Sequence, residues 1–286
     1  LKEPFQGLFT QGMVCHETYK DEDNNWISPE ELIDIDGNKY LKNDKSKKVI
    51  IGPSESMSKS KKNTIDPQII IDNFGADAVR LFILSDSPPE KDVQWSEDGI
   101  EASYKFIKKL WALHNKIIEK IKNNENKDED DEFIKFTNKF IKKITNNLEN
   151  FSYNIIIANM HEMYSFLNKE INKTKTKKTL LENYRKILIC IQPIIPHLAN
   201  EALEMTENKN EIIWPKYEND LINENKAKIV IQINGKKRGL IETDKDIKEI
   251  DLMNSIDQDE KISKYLKGNN IRKKIFIPGK LINIII

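Results

Sequence analysis

The run Ser56-Met57-Ser58-Lys59-Ser60-Lys61-Lys62-Asn63 gathers hydroxyls and ammonium groups over eight residues without any apolar periodicity, so core packing does not account for it. Hydroxyl and ammonium donors crowded on one short segment suit an oligophosphate, whose oxygens accept charge-assisted hydrogen bonds. Displacement at phosphorus needs little covalent help from a protein. Cations that tighten on the charge of the transition state supply much of the rate. Lys59, flanked by Ser58 and Ser60, is the candidate for that role, and Ser56, Met57, Ser58, Lys59 and Ser60 form the candidate nucleotide-phosphate loop.

A second concentration of charge is Lys236-Lys237-Arg238, next to Gly235. Long cations at a hairpin turn can reach a phosphate backbone without disturbing the strands that carry them. From Lys226 to Ile286 there are 14 Lys and Arg against 8 Asp and Glu, a net of +6 in a chain whose formal charge is +0. Such a basic module on a mildly acidic body favours nucleic-acid contact; a solvated lysine-rich surface is the plainer alternative. Cys15 and Cys190 are far apart in sequence and are expected to be free thiols. Cys15-His16 has no second ligand pair, so no metal site is expected.

These groups need elements to hold them. Gly7 to Cys15 and Lys48 to Ile51 read as strands, with Asp36-Gly37 as a hairpin turn. Asp66 can cap a helix that starts at Pro67 and ends at Gly75, and Ala76 to Ser85 reads as a second helix. A loop held between a strand and a helix is fixed at its base and free at its tip, as closure over a nucleotide requires. From Glu97 apolar residues recur at three and four, in stripes through Leu110, Ile117 and Ile121, through Phe133, Phe140 and Ile144, and through Ile156, Met160 and Leu167. Further helices are expected at Lys177 to Ile191 and His197 to Met205, which makes a bundle. Asn123 to Glu132 reads as a solvated connector and Pro215 to Asn225 as a linker. Beyond it Lys228 to Asn234 and Arg238 to Thr243 form a hairpin around a turn at Gly235 to Lys237. Helices near Ile247 to Ser255 and Glu260 to Leu266, then strands at Ile271 to Ile277 and Lys280 to Ile286, complete a small α+β module. His161 and His197 sit among apolar neighbours in the sequence and read as structural, and Trp111 as core.

With 286 residues, 38% hydrophobic and 32% charged, the chain has room for two or three domains. No apolar run is long enough to cross a bilayer, which sets membrane-spanning functions aside.

Ser56-Met57-Ser58-Lys59-Ser60 resembles the KMSKS signature of class I aminoacyl-tRNA synthetases, with a serine where the signature has its first lysine. Thr10 to Tyr19, Ser85 to Trp95, Gly75 to Arg80, Pro193 to Ala199, Trp214-Pro215, Ile231 to Gly239 and Pro278 to Asn283 are similar to the bacterial type of leucyl-tRNA synthetase, so the resemblance spans nearly the whole chain. It implies three parts: residues 1–98, the C-terminal portion of an α/β Rossmann-type nucleotide-binding catalytic domain; residues 99–215, an all-α anticodon-binding-type bundle; and residues 226–286, a small α+β C-terminal tRNA-binding domain. It implies ATP with Mg2+, leucine and tRNA(Leu) as substrates, a cytoplasmic location, Lys59 on the nucleotide phosphates, and Lys236, Lys237 and Arg238 on tRNA. The family's other signature, a His-x-Gly-His pair, matches none of His16, His114, His161 and His197. The resemblance therefore implies a C-terminal portion completed by an N-terminal catalytic half, in the same parent chain or as a separate subunit, and inactive alone. The alternative reading is a non-catalytic tRNA-binding module.

Overall fold

In the computed structural model the described residues are 3–5, 7–123, 131–171, 177–206, 212–222 and 226–286; they form two compact units, Leu1–Tyr217 and Glu218–Ile286.

The first unit is built around strand β1 (Val14–Lys20), which pairs antiparallel with β2 (Trp26–Ile27) and β5 (Ile50–Ser56) and parallel with β6 (Val93–Gln94). A hairpin of β3 (Leu32–Ile35) and β4 (Asn38–Leu41) turns on Asp36 and Gly37, both with positive φ, as a type I′ turn requires. Two strand expectations shift. Residues 7–13 are irregular, and β1 begins at Val14 because its partners Ser56 and Val93 begin there. The strand expected at Lys48 to Ile51 instead runs on to Ser56, so the first residue of the lysine run is still in the sheet. Periodicity cannot see this, since β5 exposes both faces and carries no alternating pattern.

Helix α1 (Pro67–Phe74) starts as expected, with the Asp66 carboxylate accepting from the Gln68 N–H at 2.9 Å, and Gly75 at φ +83° joins it to α2 (Ala76–Ser85). The bundle comprises α3 (Glu97–Asn123), α4 (Asp131–Glu149), α5 (Tyr153–Glu170), α6 (Lys177–Ile191) and α7 (Pro196–Glu204). The stripes read from the sequence form its core: Ile117, Phe133, Ile141, Ile144, Ile156, Met160, Ile187 and Ile195 are all essentially inaccessible. The connector expected at Asn123 to Glu132 lies mostly outside the described residues, its two ends belonging to α3 and α4. The Trp214 indole donates to Thr145 Oγ1 at 3.0 Å, which fastens the segment after the bundle onto α4.

In the second unit a short helix, α8 (Asn219–Ile222), occupies part of the stretch expected to be linker. Then come β7 (Lys226–Ile233), β8 (Lys236–Asp244), α9 (Glu249–Gln258), α10 (Glu260–Ser263), β9 (Lys273–Ile277) and β10 (Leu281–Ile285). Strand order is β8-β7-β10-β9, with β7 and β10 parallel at the centre. A parallel pair needs a crossover, and α9 and α10 supply it. They cover one sheet face, where Ile229, Ile231, Ile233, Ile282 and Ile284 meet Leu252, Ile256 and Ile262. Gly239 lies under that layer: a Cβ there would stand 2.4 Å from Ile262 Cδ1.

Candidate functional site

The lysine loop leaves the sheet at Ser56, which pairs with Cys15 on β1, and the Met57 N–H still donates to the Val14 carbonyl at 3.1 Å. Ser58 is extended; Lys59–Lys61 make one 3-10 turn, closed by Lys62 at φ +53°. Asn63 follows and is completely buried. Its Oδ1 accepts from the Ser58 N–H at 2.8 Å, while its Nδ2 donates to the carbonyls of His16 at 3.2 Å and Glu55 at 3.1 Å. Both ends of the loop are thereby tied to β1 and β5, and residues 59–62 project between them. Ser58 and Ser60 hydroxyls bond to each other at 2.7 Å.

Of the loop's three lysines, Lys61 forms an ion pair with Glu55. Lys59 and Lys62 are exposed, and neither ammonium has a partner among the described residues. Lys59 is thus a free cation flanked by Ser58 and Ser60, three residues past the end of β5, and Lys62 is a second. A free, solvated ammonium costs nothing to redirect toward an incoming anion, whereas Lys61 would first have to leave a carboxylate.

The segments before and after the loop converge on the same strand. Gly12 N–H donates to Pro89 O at 2.8 Å, Met13 N–H to the Asp92 carboxylate at 2.8 Å, and Trp95 N–H to Cys15 O at 2.8 Å. Gly12 is required for this approach, because a Cβ would lie 2.1 Å from the Lys91 carbonyl oxygen. Three segments that looked independent in sequence, at 10–19, 50–63 and 88–95, are therefore strands and edges of one sheet.

A further lock joins this sheet's helices to the bundle. The Asp77 carboxylate, on α2, accepts from the backbone N–H of His197 at 3.3 Å and of Leu198 at 2.7 Å, capping α7 from 120 residues away, and lies 2.9 Å from His197 Nδ1. The Arg80 guanidinium donates to the carbonyls of Ile194 at 3.0 Å and Pro193 at 2.6 Å. His197 is therefore not packed among apolar neighbours: its side chain is 74% exposed and its ring meets a carboxylate. The apolar residues beside it in sequence point to the opposite side of α7.

His161 is exposed and stacks on Phe106 with centroids 3.9 Å apart; His114 is fully buried, 2.9 Å from the Tyr184 hydroxyl, with burial holding its pKa down to about 4. Trp111 is partly buried against the bundle core and stacks on His114. Both cysteines are free and buried, and burial pushes the Cys190 thiol up to about 12, which leaves it unreactive. Among the described residues no group of three or more His, Cys, Asp or Glu is placed to hold a metal ion.

In the second unit the hairpin turns on Asn234 and Gly235, at φ +50° and +75°, so Lys236 and Lys237 open strand β8 and do not sit in the turn itself. Asn283 Oδ1 accepts from Gly235 N–H at 3.0 Å and Asn234 Oδ1 from Ile286 N–H at 3.1 Å, tethering the turn to β10. Lys236 and Lys237 are exposed without an ion-pair partner among the described residues. The Arg238 guanidinium, equally exposed, rests over the Tyr265 ring at 4.2 Å. Sequence reasoning found these cations and Lys59. It missed Asn63 and Asp77, because a buried amide and a remote helix cap look like ordinary polar residues until burial is known.

Residues 49–96, which contain the lysine loop, match the family model for class I tRNA synthetases (I, L, M and V), and residues 130–253 match that for the anticodon-binding domain of tRNA ligase. The leucine-tRNA ligase of Rickettsia massiliae is 37% identical over 290 residues, and that of Orientia tsutsugamushi 40% over 292, each alignment covering 100% of this chain. Along the whole of its length the chain is similar to leucine-tRNA ligases. It spans about a third of these relatives, 34% of each. The fold agrees: a LeuRS from Agrobacterium radiobacter, solved in a ternary complex with tRNA and LeuAMS, superposes with a TM-score of 0.64 over 80% of this chain and 30% of that one, at 21% identity. No helix among the described residues is long and apolar enough to cross a membrane.

Proposed function

We propose that this chain supplies the lysine loop and the tRNA-binding parts of a leucine-tRNA ligase, an enzyme that activates leucine with ATP to leucyl-adenylate and pyrophosphate and transfers leucine to tRNA(Leu). The reading rests above all on similarity to leucine-tRNA ligases along the whole of this chain, together with an unpaired Lys59 just past the end of β5. ATP enters with Mg2+ on its phosphates, as substrate. Lys59 meets those phosphates as the leucine carboxylate attacks the α-phosphorus, and its ammonium offsets negative charge that passes to the leaving pyrophosphate. Ser56, Met57, Ser58 and Ser60 shape the loop around it. Ser56 gives up the charge that the KMSKS signature carries at its first position, and since Lys61 is held by Glu55, Lys62 is the cation better placed to compensate.

In this reading residues 1–98 belong to the catalytic domain, 99–215 carry tRNA by shape and backbone contact, and 226–286 hold tRNA through Lys236, Lys237 and Arg238. The remaining contacts to ATP and leucine come from an N-terminal catalytic half, and the enzyme works in the cytoplasm. Leucine-dependent exchange of pyrophosphate into ATP is the test. The chain by itself should give none above background, and addition of the catalytic half should bring exchange with leucine; exchange with another amino acid in its place would overturn the assignment.

A further inference from the structure

We infer that Asn63 is the positioning residue of the lysine loop, a clasp that fixes where Lys59 stands when the loop closes; this rests on the reading of Lys59 given above. A primary amide can accept and donate twice, and here the donor side is used in full on two carbonyls, His16 on β1 and Glu55 on β5, while the acceptor takes the Ser58 N–H. No other small side chain matches this set. An aspartate has no donor for the two carbonyls and would set a buried charge against them, and serine is too short. The side chain is completely buried in a segment whose neighbours are exposed, and it contributes no apolar packing, so its presence is explained by what it ties together.

What it ties together is the two sides of the loop. Ser58 precedes Lys59, Asn63 follows Lys62, and the 3-10 turn hangs between these two points with its cations free. The clasp shortens the mobile part to four residues and denies it the sheet edge, so that closure is a hinge about a fixed base. Released, the loop would gain freedom at Met57 and Ser58, and the Lys59 ammonium would sample a larger volume at the cost of effective concentration at the phosphates.

Two measurements test this. In the chain as it stands, Asn63→Ala should raise amide hydrogen exchange at residues 57–62 by at least about tenfold, while Lys59→Ala leaves it unchanged, since only the former removes the Ser58 partner. Asn63→Ser, uncharged but too short to span the three partners, should raise it likewise if Asn63→Ala proves poorly folded. In the assembled enzyme, Asn63→Ala should lower kcat for pyrophosphate exchange about tenfold or more with leucine KM little changed, and should cost little further in a Lys59→Ala background, as groups acting through one step are non-additive. Unchanged loop exchange, or an equal loss in both backgrounds, would overturn the role of Asn63 and leave Lys59 in place. A Lys59→Ala enzyme with full turnover would instead remove the reading on which the clasp depends.

Discussion

Lys59 is a residue whose surroundings were arranged to leave it alone. Its neighbour Lys61 is neutralised by Glu55, the serines bond to each other, and Asn63 is spent on the backbone, so the Lys59 ammonium, like that of Lys62, stays uncommitted. Deleting it as Lys59→Ala should lower kcat of the assembled enzyme by about ten- to a thousandfold and leave ATP KM within a few fold, which steady-state exchange kinetics will read. His114 behaves in the opposite way, being wholly committed. Neutral in the fold with a pKa near 4 against about 6.5 in an unfolded chain, it stabilises fully above pH 6.5. As pH falls through that window the unfolded state takes the proton first, so stability is lost progressively down to about pH 4, by on the order of 2–3 kcal/mol in all. Thermal melts of the chain and of a His114→Phe variant across pH 7 to 4 should converge, the variant losing less; parallel curves would contradict the assignment.

Among elements, β1 and the α2–α7 contact decide whether the loop has a base at all. Gly12 lets the 88–92 segment reach β1, and a methyl there would meet the Lys91 carbonyl at 2.1 Å, so backbone has to move. Gly12→Ala should cost about 1–3 kcal/mol and lower Tm by several degrees. Asp77 caps α7 through two N–H bonds, and a charged acceptor at a helix N-terminus is favoured by the dipole as well as by the bonds. Asp77→Ala should therefore destabilise the first unit by about 1–3 kcal/mol, and Asp77→Asn by less, as measured by denaturant titration. Equal losses in the two would assign the whole cap to the charge, and no loss in either would remove the cap as a source of stability.

At the scale of the whole molecule, charge is divided between the units: the net +6 from residue 226 onward is balanced by −6 before it. Phosphate contact made mainly by the second unit predicts a salt dependence concentrated there. Replacing Lys236, Lys237 and Arg238 with alanine should weaken tRNA binding uniformly across tRNA sequences and flatten the slope of log K against log salt by about two, as read by filter binding. Arg238 should matter least to that slope, because its guanidinium already leans on Tyr265. An unchanged slope would move tRNA contact to the bundle.

Most of the architecture was legible from local rules. Asp66-Pro67, the Asp36-Gly37 turn and the three- and four-residue stripes of the bundle state their geometry within a few residues, because caps, turns and amphipathic faces are short-range physics. The cations, too, announce themselves by type and spacing: Lys59 and the Lys236 to Arg238 cluster need no fold to be seen. Pairing and burial are decided over long distances and needed the tertiary structure. That Ser56 is a strand residue depends on Cys15, that His197 faces a carboxylate depends on Asp77, and that Asn63 is a clasp depends on His16 and Glu55. Each joins residues 41, 120, 47 or 8 positions apart, and the energy of a buried polar group is set by which partner reaches it, a fact that no window along the chain contains.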